Sequence, residues 1–272
     1  MSATRELVAA GGRYAALARL QSRTVLRHRT DCAVGLIALV AQILLSRVVW
    51  TAVYGGRDAM DGVPLAMMLT YVALAATQHW LLSPWAFSMI PERVRDGTVG
   101  MDLTRPVSFI GQVVAGQTGR TVALLPFAGL ALPIGVLLAG TRPPRSAPAA
   151  LAYLLSLALA YLVSTGLSVV VGLLAFWTME IHGLFITYRM VSQFLSGALV
   201  PLWLMPRPLR EVARMLPFPS VTYTPTSIYV GTLRGGALAL GLAAQVGWAV
   251  LLFLLARLAW AQALRRVVVQ GG

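Results

Sequence analysis

Apolar residues run along the chain in six long blocks, roughly 32–54, 63–90, 110–138, 147–177, 183–206 and 235–261. A helix that crosses a bilayer needs about 20 mostly apolar residues. Backbone inside hydrocarbon must satisfy its own hydrogen bonds, so each block is expected to be a helix. An outer-membrane barrel would instead show short alternating segments. Several blocks exceed the required length, which implies tilt, kinks or extension beyond the bilayer. Pro84 should kink or end the second. The fold class expected is therefore an all-α integral membrane protein of six transmembrane helices. Its parts are a cytoplasmic N-terminal segment (1–31), the membrane region (32–262) and a short cytoplasmic tail (263–272).

The polar stretches between the blocks carry their own pattern. Arg19, Arg23 and Arg27 repeat at i, i+4. Residues 5–29 thus read as a helix along the cytoplasmic surface with its basic stripe toward anionic lipid, or else as a disordered basic tail. The stretch 206–235 has prolines at 206, 208, 217, 219 and 225, together with Leu216, Phe218, Tyr223 and Tyr229. A solvated loop would not need those apolar side chains. One or two short helices dipping back toward the membrane are expected.

Composition sharpens this. Of 272 residues 58% are hydrophobic and 11% are charged, against about 25% charged in a soluble domain. Mean hydropathy is +0.75. All 22 basic residues are arginine, and the net charge is +13. The excess lies in loops between apolar blocks, which suits membrane orientation and headgroups, and argues against nucleic acid. Arginine is densest before the first block, so both termini are placed in the cytoplasm. Residues 1–30 lack the apolar core of a cleavable signal peptide. The single Cys32 excludes an internal disulfide and a CxxC metal site.

With no lysine in the chain, a Walker A loop is excluded. Any ATP driving this protein must bind another polypeptide. Glu180 and His182 stand two apart, a poor metal pair on a helix, and no HExxH motif occurs. Catalytic and metal residues are expected to be absent. Polar residues inside the blocks are costly: Gln42 and Arg47, Gln117 and Arg120, Arg189 and Gln193, and Gln245. They read either as a polar path or as side chains snorkelling to a bilayer face.

The most ordered polar stretch is RVRDGTVGMDLTRPVS, residues 93–108. Asp96-Gly97 predicts a turn. Asp102 is expected to cap a short helix whose first turn includes Pro106. This stretch resembles a segment of the ABC-2 type transporter permeases that runs basic-x-Gly-x-[Val/Ile]-x-x-Asp-Leu-x-Arg-Pro. Arg95, Gly97, Val99, Asp102, Leu103, Arg105 and Pro106 match in order, and Thr104 departs where leucine is usual. SGALVPLWLMPRPLREVARMLPF (196–218) is similar to the family's segment after the fifth span, with Gly197, Pro201, Pro206, Leu216, Pro217 and Phe218 in place. The ending LRRVVVQGG resembles a bacterial subgroup.

The resemblance implies a permease subunit of an ATP-driven exporter in the bacterial cytoplasmic membrane. Arg95, Asp96, Gly97, Asp102, Leu103, Arg105 and Pro106 would form a cytoplasmic coupling helix that docks on a separate ATPase. Two copies of that ATPase, holding ATP and Mg, would serve this chain and a second, identical or paralogous permease. Pro201, Pro206, Leu216, Pro217 and Phe218 would belong to outer re-entrant helices. Candidate path or gate residues are Arg47, Trp50, Arg189, Met190, Gln193 and Phe194. The molecule moved would be hydrophobic or amphiphilic: an antibiotic, another natural product or a lipid-like compound. The alternatives are a stand-alone secondary carrier, an intramembrane enzyme or an accessory subunit. The first two would want acidic or histidine residues at mid-membrane, and no Asp or Glu lies clearly inside a block.

Overall fold

The computed structural model describes residues 2–60, 62–82, 86–144, 146–178 and 181–266. Pro84, Glu180 and the last six residues of the C-terminal motif lie outside them. Helices dominate, in the order α1 (Ser2–Arg27), α2 (Arg29–Tyr54), α3 (Leu65–Leu81), α4 (Ala86–Arg95), α5 (Val99–Leu103), α6 (Phe109–Ala139), α7 (Ala147–Leu173), α8 (Ile181–Leu195), α9 (Arg207–Arg214), α10 (Tyr223–Val230) and α11 (Gly235–Ala263). Between α2 and α3 a two-residue hairpin pairs β1 (Ala59–Met60) with β2 (Val63–Pro64).

Among the described residues, four helices are long and apolar enough to cross a membrane: Arg29–Tyr54, Phe109–Leu137, Ala147–Phe176 and Gly235–Arg266. They coincide with the first, third, fourth and sixth apolar blocks. The second block is divided between α3 and α4. The fifth is cut short. α8 ends at Leu195 because Gly197 takes a left-handed conformation (φ 79°), and residues 202–204 then form a 3-10 turn behind Pro201. Gly197 cannot be replaced cheaply: a Cβ there would run into Leu202 and the Tyr71 hydroxyl.

Side-chain contacts fix how the helices run. α2 and α6 point the same way, with Leu39, Ile43 and Ala131 in one cluster that α3 completes through Ala73 and Ala76. α3 runs back along α2, from Met68 beside Tyr54 to Trp80 against Gly35. α7 and α11 point the same way: Ser156 meets Gln245, Gly166 meets Leu252, and Phe176 meets Trp260.

α1 is not set apart from the bundle. It runs lengthwise on the first half of α6, in the same direction. The Tyr14 hydroxyl bonds Ser108, and Ser22 Oγ donates to the Gly119 carbonyl at 2.6 Å. Val25 joins the cluster around Leu124. Tyr14, Leu17, Ala18, Gln21, Ser22 and Val25 form the packed stripe, at helical spacing, while Arg19, Arg23 and Arg27 are exposed. The close fit depends on glycine. A Cβ on Gly111 would strike the Tyr14 ring, and one on Gly119 would strike the Ala18 carbonyl. A helix lying alone on the membrane surface would have no need of that match.

Candidate functional site

The stretch 93–108 is built around one buried carboxylate. After α4 the chain turns at Gly97, whose φ of 67° is left-handed, and Thr98 N–H closes back onto the Arg93 carbonyl. The turn expected at Asp96-Gly97 is therefore present. α5 starts at Val99, which is buried with Ile90, Phe109, Val113 and Leu173. Asp102 lies inside α5, only 5% exposed, and not at its N-terminal cap as expected from sequence. Pro106 falls in the exposed link beyond α5, and the cap of the next helix is Ser108, whose Oγ accepts from Gly111 N–H.

The Asp102 carboxylate faces inward onto two arginines. Arg93 Nη1 stands 3.0 Å from one oxygen and Arg105 Nη1 3.3 Å from the other. Gln112, buried in the first turn of α6, locks the arrangement. Its amide nitrogen donates to the backbone carbonyls of Asp102 (3.0 Å) and Val107 (3.3 Å), and its oxygen accepts from Arg105 (3.2 Å). Asp102 thus fastens the element and is turned away from any partner surface. The side chains that do face outward are Arg95, Asp96, Met101, Leu103 and Arg105. Met101 is 65% exposed and Leu103 41%. Met101 and Leu103 thus stand out next to the exposed charges of Arg95, Asp96 and Arg105.

Arg93, Met101 and Gln112 were not among the sequence candidates. The Arg93–Asp102 pair spans a turn and has no local spacing rule to reveal it. Gln112 carries a visible signal, as a lone amide at the start of an apolar run.

The proposed path residues are not brought together. Arg47 is exposed on α2, and Trp50 packs among Tyr54, Tyr71 and Trp203. Met190 and Phe194 point outward from α8, and Gln193 is half-buried. Arg189 lines a cavity. This cavity, about 700 Å³, lies among α1, α2, α3, α6 and α8 and is lined also by Arg120, His79, Trp80, Gln42 and Asp31.

The stretch 196–230 is pinned to the bundle by buried amides. Gln245 of α11 donates to the Ser220 carbonyl at 2.8 Å and to the Ser156 carbonyl at 3.0 Å, while Ser156 Oγ donates to its oxygen. Gln78 of α3 accepts from Thr226 Oγ1 and donates to the Tyr153 hydroxyl. Tyr71 donates to the Gly197 carbonyl, and Tyr223 N–H to the Ser196 carbonyl. Pro201 and Pro217 are buried, Leu216 and Phe218 half-buried, and Pro206 exposed at the start of α9. Of the two buried glutamines, sequence singled out Gln245 and not Gln78.

Among known families, one described as ABC-2 family transporter protein matches residues 35–271. No curated protein and no solved structure matches the chain.

Proposed function

The chain belongs to the ABC-2 family of transporter proteins, and from that premise we propose that it is the membrane subunit of an ATP-driven exporter. An ABC-type permease is a transport subunit, and the family implies an ATP-binding partner subunit. The partner would be present in two copies, each holding ATP and Mg, beside a second permease chain. The cargo would be a hydrophobic or amphiphilic small molecule, moved out across a bacterial cytoplasmic membrane.

In this reading the chain crosses six times. α2, α3 with α4, α6, α7, α8 and α11 are the spans, and both termini are cytoplasmic. Arg142 in the α6–α7 turn and Arg234 before α11 mark the outer boundary. At about 1.5 Å per residue, α6 is some 46 Å long, against about 30 Å of hydrocarbon. Twenty residues inward from Ala139 comes close to Arg120. The first turns of α6, with Gln112, Gln117 and Thr118, then lie at or below the cytoplasmic boundary, and α1 flanks them there as the interfacial helix. Residues 217–230 re-enter from the outer side, held at depth by Gln78 and Gln245.

The observation that carries the reading is the fastened element 93–108. Asp102 and Gln112 make it rigid enough to transmit force, and Met101 and Leu103 supply the apolar contact that a docking cleft needs. Arg95 and Arg105 would set its orientation.

The test uses the chain co-expressed with its genomic neighbours, purified in mild detergent and assayed for a co-purifying ATPase. The wild type should retain the ATPase. Met101→Asp should lose it or leave its hydrolysis unresponsive to the permease, because burying an unpaired carboxylate is costly. If no ATP-hydrolysing chain ever accompanies the wild type, the exporter reading fails.

A further inference from the structure

The cavity beside Arg189 has a chemistry that the permease role alone does not require. Its wall is divided. Leu39, Trp80 and Leu124 offer an apolar side, and Arg120 and Arg189 offer two permanent positive charges. The carboxylate on the wall is that of Asp31, whose side chain is 80% exposed beside His28 at 3.9 Å. Water screens it strongly. Arg120 and Arg189 come from different helices, α6 and α8, and line the same space. A volume near 700 Å³ fits a single small amphiphile.

We propose, resting on the permease reading and deepening it, that this cavity takes a negatively charged amphiphile. Its anionic head meets Arg120 and Arg189, and its apolar part lies along Leu39, Trp80 and Leu124. A carboxylate, sulfate or phosphate head suits a guanidinium fork, which offers paired donors in a plane. A cationic amphiphile would face two like charges in a partly desolvated site. The depth agrees. Arg120 falls at the inner boundary derived above, where the head of a molecule entering from the cytoplasmic leaflet would sit. Gln42 and Ser192 add polar contacts for the head without adding charge.

The full chain in nanodiscs of phosphatidylcholine provides the test. A fluorescent dansylated fatty acid serves as the anionic probe. Decyl sulfate and decyltrimethylammonium, matched in chain length, compete for it. Decyl sulfate should displace the probe at a concentration at least tenfold lower than the cation. Arg189→Gln should weaken the anion about tenfold, as loss of one charge-assisted hydrogen bond would, and Arg189→Lys should restore part of that. Because Arg189 is exposed on α8, these variants should fold. Gln42→Glu places a carboxylate on the wall and should narrow the preference for the anion from the other side.

Equal displacement by anion and cation, or an Arg189→Gln variant that binds like wild type, overturns the proposal. Repeating the titration with phosphatidylglycerol in the nanodisc identifies the source of the anion. Competition by that lipid points to a headgroup of the membrane. No competition points to a single-chain solute. Loss of charge preference would leave ATPase co-purification untouched, whereas absence of the ATPase would leave the binding preference untouched.

Discussion

Replacing Asp102 by alanine removes the carboxylate on which the element 93–108 is fastened. Two arginines lose their shared partner at once. Breaking a buried ion pair by deleting one member costs about 3–5 kcal/mol when the other charge is stranded in a dry site. Here the loss is smaller. Arg93 has 23% of its side chain in solvent and Arg105 51%, so Arg105 can turn to water at little cost. Gln112 also keeps its bonds to the backbone. A local penalty of about 2 kcal/mol is therefore expected, since Arg93 bears most of it. That corresponds to a roughly thirtyfold rise in the fraction of time the turn is open. Hydrogen exchange by mass spectrometry on the purified chain reads this directly. Amides of 97–108 should exchange about thirty times faster, while the middle of α11 stays unchanged. Arg95→Ala is the control, because Arg95 is exposed and pairs only with its neighbour Asp96. Unchanged protection of 97–108 in Asp102→Ala would mean that the carboxylate does not hold the element, and the coupling argument would lose its basis.

Two other substitutions examine the packing around that element. Gly119→Val should dislodge α1 from α6, since even a Cβ meets the Ala18 carbonyl. Limited trypsin digestion should then cut at Arg19 and Arg23 much faster than in wild type. Gln245→Leu removes the bonds from Gln245 to the Ser220 and Ser156 carbonyls and the one it accepts from Ser156 Oγ. Interhelical hydrogen bonds in membrane proteins are worth about 0.6 kcal/mol each and at most about 1.7, so the loss of these bonds should cost about 1–2 kcal/mol in a detergent-unfolding titration. No change in the midpoint would show that the pin is idle.

The long helices were legible because nothing competes with an unbroken apolar run of span length. The limits expected for the third and sixth spans agree with α6 and α11 within two residues. The interrupted spans were not legible in the same way. Glycine at 197 gives no warning of a left-handed turn until the hydroxyl of Tyr71, 126 positions away, is seen bonding its carbonyl. A much shorter separation, nine residues to Arg93 and ten to Gln112, still hides the Asp102 cage. Sequence marks Asp102, Arg105 and Gly97 as a motif and suggests that their charges face a partner. Only the fold shows that Arg93 meets the carboxylate while Gln112 holds the Asp102 backbone carbonyl and Arg105. The amphipathic stripe of α1 was half visible. Its basic side, Arg19, Arg23 and Arg27, was apparent, whereas Ala18, Gln21 and Ser22 count as packing residues only once a glycine-faced neighbour is present.

The same-direction pairing of α7 and α11 bears on how the chain is made. Ser156 is synthesised long before Gln245, and Ser220 lies between them. Until α11 is in place, the Ser220 carbonyl lacks the donor that Gln245 supplies, and an unpaired carbonyl is costly away from water. The outer segment can rest against α3 and α7 early, but it is sealed only from behind. A ribosome stalled after Arg234 would therefore hold a chain that is inserted yet unlatched, open to quality-control proteases at the segment 217–230. Placement of α11 is the step that converts the preceding helices and the loose segment 217–230 into one body.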